Sequence, residues 1–289
     1  MNERAGILAA IASSALGGTA VATTRYVIGA IDPVTLAAFR FGIAFVLILP
    51  LALASRSKWP QGRDWLGVAG LGVLFFGAFF VIYNVSMRST TAARGSLALS
   101  TLPLVTMLVA ALLGREALTM RKTVGVLIAM TGVAIALGAG LAVAPPGAWR
   151  GDLTMVGGTL FMALYSIWSR PFMARSSRLG FLAAGMGFGS AASTLVAWQQ
   201  GGFVAIHGFG MTQWVAVILI GVLGGAAAFY LWVYALERTT PTLVTNTMTV
   251  NPIAASIVAA LVIGEEIDMS LMVGVATVFV GIWIASTGK

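Results

Sequence analysis

The sequence predicts an all-α polytopic membrane protein, with ten transmembrane helices in two inverted-topology repeats of five and both termini in the cytoplasm. Three observations carry this. Hydrophobic residues make up 59% of the chain and charged residues 9%, whereas a soluble domain carries about 25% charged residues. Ten apolar runs approach the roughly 20 residues that cross a hydrocarbon core. The stretch PLVTMLVAALLGRE at 103–116 also returns as PIAASIVAALVIGE at 252–265, with the proline, VAAL and the glutamate in register.

The composition excludes several classes. Too few charges remain to coat a water-facing surface, so the solvent that suits this chain is the bilayer. The 35 glycines fit, because glycine lets transmembrane helices approach closely. With no cysteine there is no disulfide framework and no thiolate metal site. The net charge of +8 comes from scattered basic residues that form no block, which speaks for membrane orientation and against nucleic acid. The opening MNERAGILAA runs straight into an apolar segment and reads as a first span, not a removable signal peptide.

Taken in order, the apolar runs and the charged or Pro/Gly breaks between them place spans at 6–28, 33–55, 65–87, 91–114, 122–140, 152–170, 179–199, 213–236, 240–263 and 269–287. The longest gaps, near 56–64, 141–151 and 200–212, are too short for a soluble domain, and neighbouring spans therefore alternate in direction. With the N-terminus inside, twelve basic residues fall on the cytoplasmic side: Arg4, Arg56, Lys58, Arg63, Arg115, Arg121, Lys122, Arg170, Arg175, Arg178, Arg238 and Lys289. Only Arg88 and Arg150 fall outside, so the positive-inside bias fixes the orientation. Trp59, Trp65, Trp149 and Trp214 lie near span ends, where indole rings favour the headgroup zone.

The repeat extends beyond its first match. Residues 88–136 set against 237–285 give 15 identities in 49 positions without a gap, among them Thr90/Thr239, Pro103/Pro252, Glu116/Glu265, Gly125/Gly274 and Gly132/Gly281. The chain thus divides into halves of five helices, 1–143 and 149–289. Five is odd, so the second half enters the membrane from the opposite side. Glu116 should lie at the cytoplasmic face and Glu265 at the outer face. Inverted halves have two nearly equivalent arrangements, which suits a cavity that opens to one side and then the other.

Each half ends with a proline, an apolar run, Gly-x-Glu or Gly-Glu, and two glycines seven apart. Span 2 reads DPVTLAAFRF and span 6 opens GDLTMVGGTLFMALYSIWSR. These features resemble the drug/metabolite transporter superfamily, in its ten-helix EamA-type exporter branch, over nearly the whole chain. The resemblance implies a basket of helices with the substrate cavity between helices 1–4 and 6–9, and with helices 5 and 10 beside it. Bacterial members of this branch, such as the YddG-type exporters, export amino acids and related metabolites, which implies a multi-pass protein of the bacterial inner (plasma) membrane. Span 1, ILAAIASSALGGTAVATTRY, lacks the tryptophan that many members carry near its middle.

Several residues are candidates for a substrate cavity. Spans 4 and 9 place polar residues around matching prolines: Ser100 and Thr101 before Pro103, and Asn246 and Asn251 before Pro252. A proline within a span frees a backbone carbonyl a turn earlier, which hydroxyl and amide groups satisfy unless they turn to a substrate. The two prolines are the candidate hinges. Three aromatic pairs sit at helical spacing, Phe79/Tyr83, Tyr165/Trp168 and Tyr230/Tyr234. Such pairs either pack or hold an apolar side chain while a phenol or indole meets a polar end. Arg25, Arg40 and Arg94 fall within the outer halves of their spans. Arg25 and Arg94 are expected to snorkel to the interface, whereas Arg40 must find backbone carbonyls, Asp32, Asp152 or a substrate carboxylate.

The nine carboxylates all lie near span ends or in loops, and the single histidine, His207, lies in a loop. That placement argues against a proton relay, a catalytic pair and a metal site, so no cofactor and no enzyme activity is expected. The function expected is export of an amino acid or similar small metabolite by alternating access, of the facilitated kind by this reasoning. A lipophilic-drug exporter is the alternative within the class, and a membrane-embedded enzyme or structural protein the alternatives outside it. Glycine pairs such as Gly185/Gly189 and Gly221/Gly225 read first as intramolecular contacts, leaving a monomer or weak homodimer.

Overall fold

The computed structural model describes residues 3–114, 119–139, 144–239, 244–245, 247–265 and 269–286. Among these residues there is no strand. The spans are α1 (Glu3–Val27), α2 (Pro33–Ala54), α3 (Asp64–Ser89), α4 (Ala92–Leu112), α5 (Met120–Ala139), α6 (Ala148–Arg175), α7 (Arg178–Gln199), α8 (Met211–Leu236), α9 (Val250–Ile263) and α10 (Met269–Ser286). Six of them, α1 to α4, α7 and α8, are long and apolar enough to cross a membrane by length and composition alone. Large apolar side chains such as Leu66, Leu112 and Leu261 stand outward on the bundle surface, where lipid, not water, is the compatible solvent.

Local chemistry fixes the ends. Asp32 caps α2, its carboxylate accepting from the Val34 and Thr35 amides at 3.0 and 2.9 Å, and Pro33 occupies the first turn, where its missing N–H costs nothing. Ser177 caps α7 by accepting from the Gly180 amide at 3.1 Å. The glycine that precedes each repeat glutamate ends its helix. Gly114 and Gly264 both take left-handed φ, 64° and 67°, which a side chain disfavours at the close of a helix.

Both α3 and α8 carry a π-helical segment, Val73–Phe79 and Ile220–Ala227. Moved by the repeat offset of 149, the first segment falls on 222–228, so the two irregularities are repeat equivalents. α4 breaks at Ser100–Thr101 and resumes at Leu102, with Pro103 in the new first turn. α9 likewise begins with Pro252 in its first turn, after a 3₁₀ turn at Thr247–Thr249.

The helices interlock as α2 on α7, α1 on α9, α2 and α1 on α8, and α3 and α4 on α6. α5 and α10 pack chiefly on each other beside this basket, as the resemblance implied. Their crossing is backbone-close. A Cβ on Gly132 would stand 2.7 Å from the Val278 nitrogen and 2.8 Å from the Gly274 oxygen, so the paired glycines serve an intramolecular contact.

Candidate functional site

Where α1, α2, α3, α8 and α9 converge, a cavity of about 50 Å³ lies inside the bundle. Ser13, Gly17 and Val21 of α1 and Arg40 of α2 face it, with Phe79, Phe80 and Tyr83 of α3 opposite. Gly224, Ala228, Phe229 and Trp232 of α8 and Asn251 of α9 complete the wall, with Leu99, Met162 and Met248 at its edges. The volume suffices for a few waters but not for a metabolite, so the helices must part to load it. The two methionines and the glycines are suited to that, being adaptable or small.

The wall is aromatic. Phe41, Phe75, Phe76, Phe79, Phe80 and Phe229 form one buried ring cluster, with centroids as close as 4.6 Å between Phe41 and Phe80. Arg40 lies within it at 4% exposure. Its guanidinium carbon sits 4.4 Å from the Phe80 ring centroid and 5.6 Å from that of Tyr83, and Nη2 donates to the Gly224 carbonyl at 2.8 Å. Of the partners open to Arg40 from the sequence, the structure supplies a backbone carbonyl, one that belongs to the π segment of α8. Nε and Nη1 of Arg40, Oη of Tyr83 and Oδ1 of Asn251 are buried without a hydrogen-bond partner.

Two polar clusters tie helix ends together on opposite sides of the bundle. On the outer side, Arg94 Nη2 meets Asp152 Oδ2 at 2.6 Å, Thr90 donates to the other carboxylate oxygen at 2.6 Å, and Ser86 donates to the Gly151 carbonyl at 2.8 Å. Arg94 therefore does not snorkel as expected. Its side chain is 8% exposed because α6 delivers a carboxylate to it from 58 residues away. Arg25 stays near the interface, donating to the Met87 carbonyl at 2.9 Å and lying 3.8 Å from Glu265. Glu265 accepts from the Ala92 amide at 3.1 Å, joining the end of α9 to the start of α4. Burial pushes its carboxyl above the ordinary carboxylate range, against the pull of the Ala92 amide and Arg25. Its repeat partner Glu116 lies outside the described residues.

On the other side, Arg178 Nη2 meets Glu237 Oε2 at 2.9 Å, and Arg238 approaches the same oxygen at 3.3 Å. Arg238 also lies over the Tyr234 ring, 3.5 Å from its centroid, and Arg178 sits near both Tyr230 and Tyr234. A second and larger space, about 890 Å³, opens between α3, α4 and α6 in the half that the charge bias assigns to the cytoplasm. Leu71, Leu74, Thr106, Trp168 and Arg170 are among its walls. The Phe75 ring stacks on Tyr165 at 4.2 Å, one turn from Phe79 and Met162 on one side and from Leu71 and Trp168 on the other. The stack thus stands between cleft and cavity.

Of the residues singled out from sequence, the cavity gathers Arg40, Phe79, Tyr83 and Asn251. Tyr165 lies behind it in the Phe75 stack, and Trp168 faces the cleft at 41% exposure, so the two part company despite their spacing of three. Tyr230 belongs to the cytoplasmic ion cluster, because the π segment of α8 rotates the register and turns Phe229 and Trp232 inward instead. Ser100 and Thr101 are not among the described cavity residues. Their hydroxyls donate to the Ser96 and Ala98 carbonyls at 3.1 and 2.8 Å, satisfying the break in α4. Asn246 lies outside the described residues. Ser13, Gly17, Gly224, Ala228, Phe229 and Trp232 were not anticipated. The unbroken small run Gly224 to Ala228 was the signal available.

A polytopic basket of helices with a closed, polar-tipped cavity between repeat-equivalent irregular helices is the architecture of a membrane carrier. The chain belongs to the EamA-like transporter family, whose profile matches residues 4–138 and 149–287. Similar proteins include the uncharacterized transporter YyaM of Bacillus subtilis, 20% identical over 91% of this chain and 87% of that one. A probable terminal-alkyne amino-acid exporter of Streptantibioticus cattleyicolor is 24% identical over 85% of this chain and 81% of its own. A protein of known crystal structure superposes with a TM-score of 0.70, covering 97% of this chain and 96% of that one at 22% identity, a likeness of fold.

Proposed function

We propose that this transporter exports amino acids or related small metabolites across the bacterial inner membrane by alternating access, down the substrate gradient. The observation that carries the reading is the central cavity itself: aromatic walls and polar groups on Arg40, Tyr83 and Asn251 turned into it, with ion pairs tying helix ends on both sides of the bundle. A small molecule with an apolar body and a polar end fits such walls. The relative named as a probable amino-acid exporter supports the substrate class. With both ion pairs formed in this structure, alternation would open the Arg94–Asp152 side and the Arg178–Glu237 side in turn, with the two π segments and the breaks before Pro103 and Pro252 as bending points.

Counterflow in proteoliposomes checks this. Vesicles preloaded with one unlabelled amino acid should accumulate the labelled form transiently and saturably, without a pH gradient. No exchange of any amino acid, beside a working control carrier, would remove the substrate class. Uphill flux driven by a pH gradient would remove the facilitated mechanism.

A further inference from the structure

We infer that the cavity recognises its substrate by a carboxylate held on Arg40, and that an ammonium group on the substrate is dispensable. The inference deepens the reading above and rests on the same cavity. Arg40 is enclosed by rings and donates to the Gly224 carbonyl, while Nε and Nη1 meet no carbonyl or carboxylate and have only the Tyr83 hydroxyl as a polar neighbour. Among the described residues no carboxylate faces it. Asp32 caps α2, Asp152 is taken by Arg94 and Thr90, Glu237 by Arg178 and Arg238, and Glu265 by the Ala92 amide beside Arg25. A guanidinium keeps its charge in proteins and presents a planar fork that matches a carboxylate. An ionised group placed this deep without a counter-ion is by default a functional site.

The charge balance selects the ligand. One monoanion neutralises the cavity, whereas a phosphate monoester brings up to two negative charges and leaves an excess between apolar walls. A zwitterion restores the single positive charge, which then has only ring faces and the Asn251 and Tyr83 oxygens to rest on. The carboxylate is therefore the group the site requires. Arg40 is also tied to the π segment of α8, so a carboxylate that draws Nη2 from Gly224 loosens the bend on that helix.

The test is calorimetric titration of the full chain in nanodiscs with three molecules of one skeleton: phenylalanine, 3-phenylpropanoate and 2-phenylethylamine. Acetate, butanoate and hexanoate with their matching amines extend the set. 3-Phenylpropanoate should bind at least as tightly as phenylalanine, and the amine about tenfold or more weakly, the scale of a lost charge-assisted hydrogen bond. R40Q should weaken both acids by about the same factor and leave the amine unchanged. Should R40Q fail to fold, R40K, which keeps the charge and loses the fork, should still weaken the acids. Binding of no carboxylate in the set, or of amines as tightly as acids, overturns the inference. Arg40-dependent binding of acids without amino-acid counterflow would instead sustain it and remove only the amino-acid reading.

Discussion

Asp152→Ala should lower the stability of the purified protein by up to about 3–5 kcal/mol, the scale for breaking a buried ion pair, because it removes the carboxylate that Arg94 and Thr90 share. The side chains of Arg94 and Asp152 are 8% and 6% exposed, and their closest atoms stand 2.6 Å apart. Thr90 completes the carboxylate's hydrogen bonds, so the substitution strips a guanidinium and a hydroxyl at once. Replacing both charges, as R94M/D152L, should recover most of the loss, because an apolar pair of similar volume dispenses with the desolvation cost. Thermal unfolding in a mild detergent measures both. If the single variant melts like the parent, the pair is not the outer fastening described here. If the double variant melts well below the single one, the pair's packing and not its charge is what holds α4 to α6.

Gly18→Val should abolish exchange. Gly18 is the point where α1 lies against the backbone of α9. A Cβ there would meet the Asn251 carbonyl oxygen, sit 2.7 Å from the Ala254 Cβ and 2.9 Å from the Ala255 nitrogen. Backbone cannot swing aside as a long side chain can, so the two helices must separate, and overpacking of this kind costs about 1–3 kcal/mol. Asn251 is part of the cavity wall, and its displacement carries the fault to the site. The same change at Gly42, with nothing within 4 Å of its missing Cβ, should leave exchange and melting close to the parent. Equal behaviour of the two variants in flux assays would contradict the close packing of α1 on α9.

The sequence made the span count and the helix breaks readable because both depend on local chemistry. Asp32 and Pro33 together cap and start α2, and Pro103 and Pro252 stand in the first turn after an interruption, although Pro50 and Pro171 lie inside continuous helices. The glycine before each repeat glutamate was visible as a motif, and the left-handed φ of Gly114 and Gly264 gives its reason. The side chains of the site were only partly legible. Arg94 was separated from Asp152 by a connection and a fold, and no local pattern announces that pairing. Tyr230 and Phe229 are adjacent in sequence, yet one faces the cytoplasmic cluster and the other the cavity. A uniform helical period cannot decide between them when a π segment lies just upstream. Arg40 was legible as an anomaly, a charge in mid-span, while its neighbours Gly224 and Trp232 come from the opposite half of the chain and required the packing to be known.

The most direct test of a cavity reached alternately from either side uses the absence of native cysteine. Ala228 lines the cavity and is 5% exposed, so A228C introduces a single small thiol at the site. In oriented membrane vesicles, a membrane-impermeant thiol reagent should label it slowly from the outer face and, in a separate preparation, from the inner face. A transported amino acid should slow both reactions. Labelling from one face only, or from neither, would contradict alternating access through this cavity.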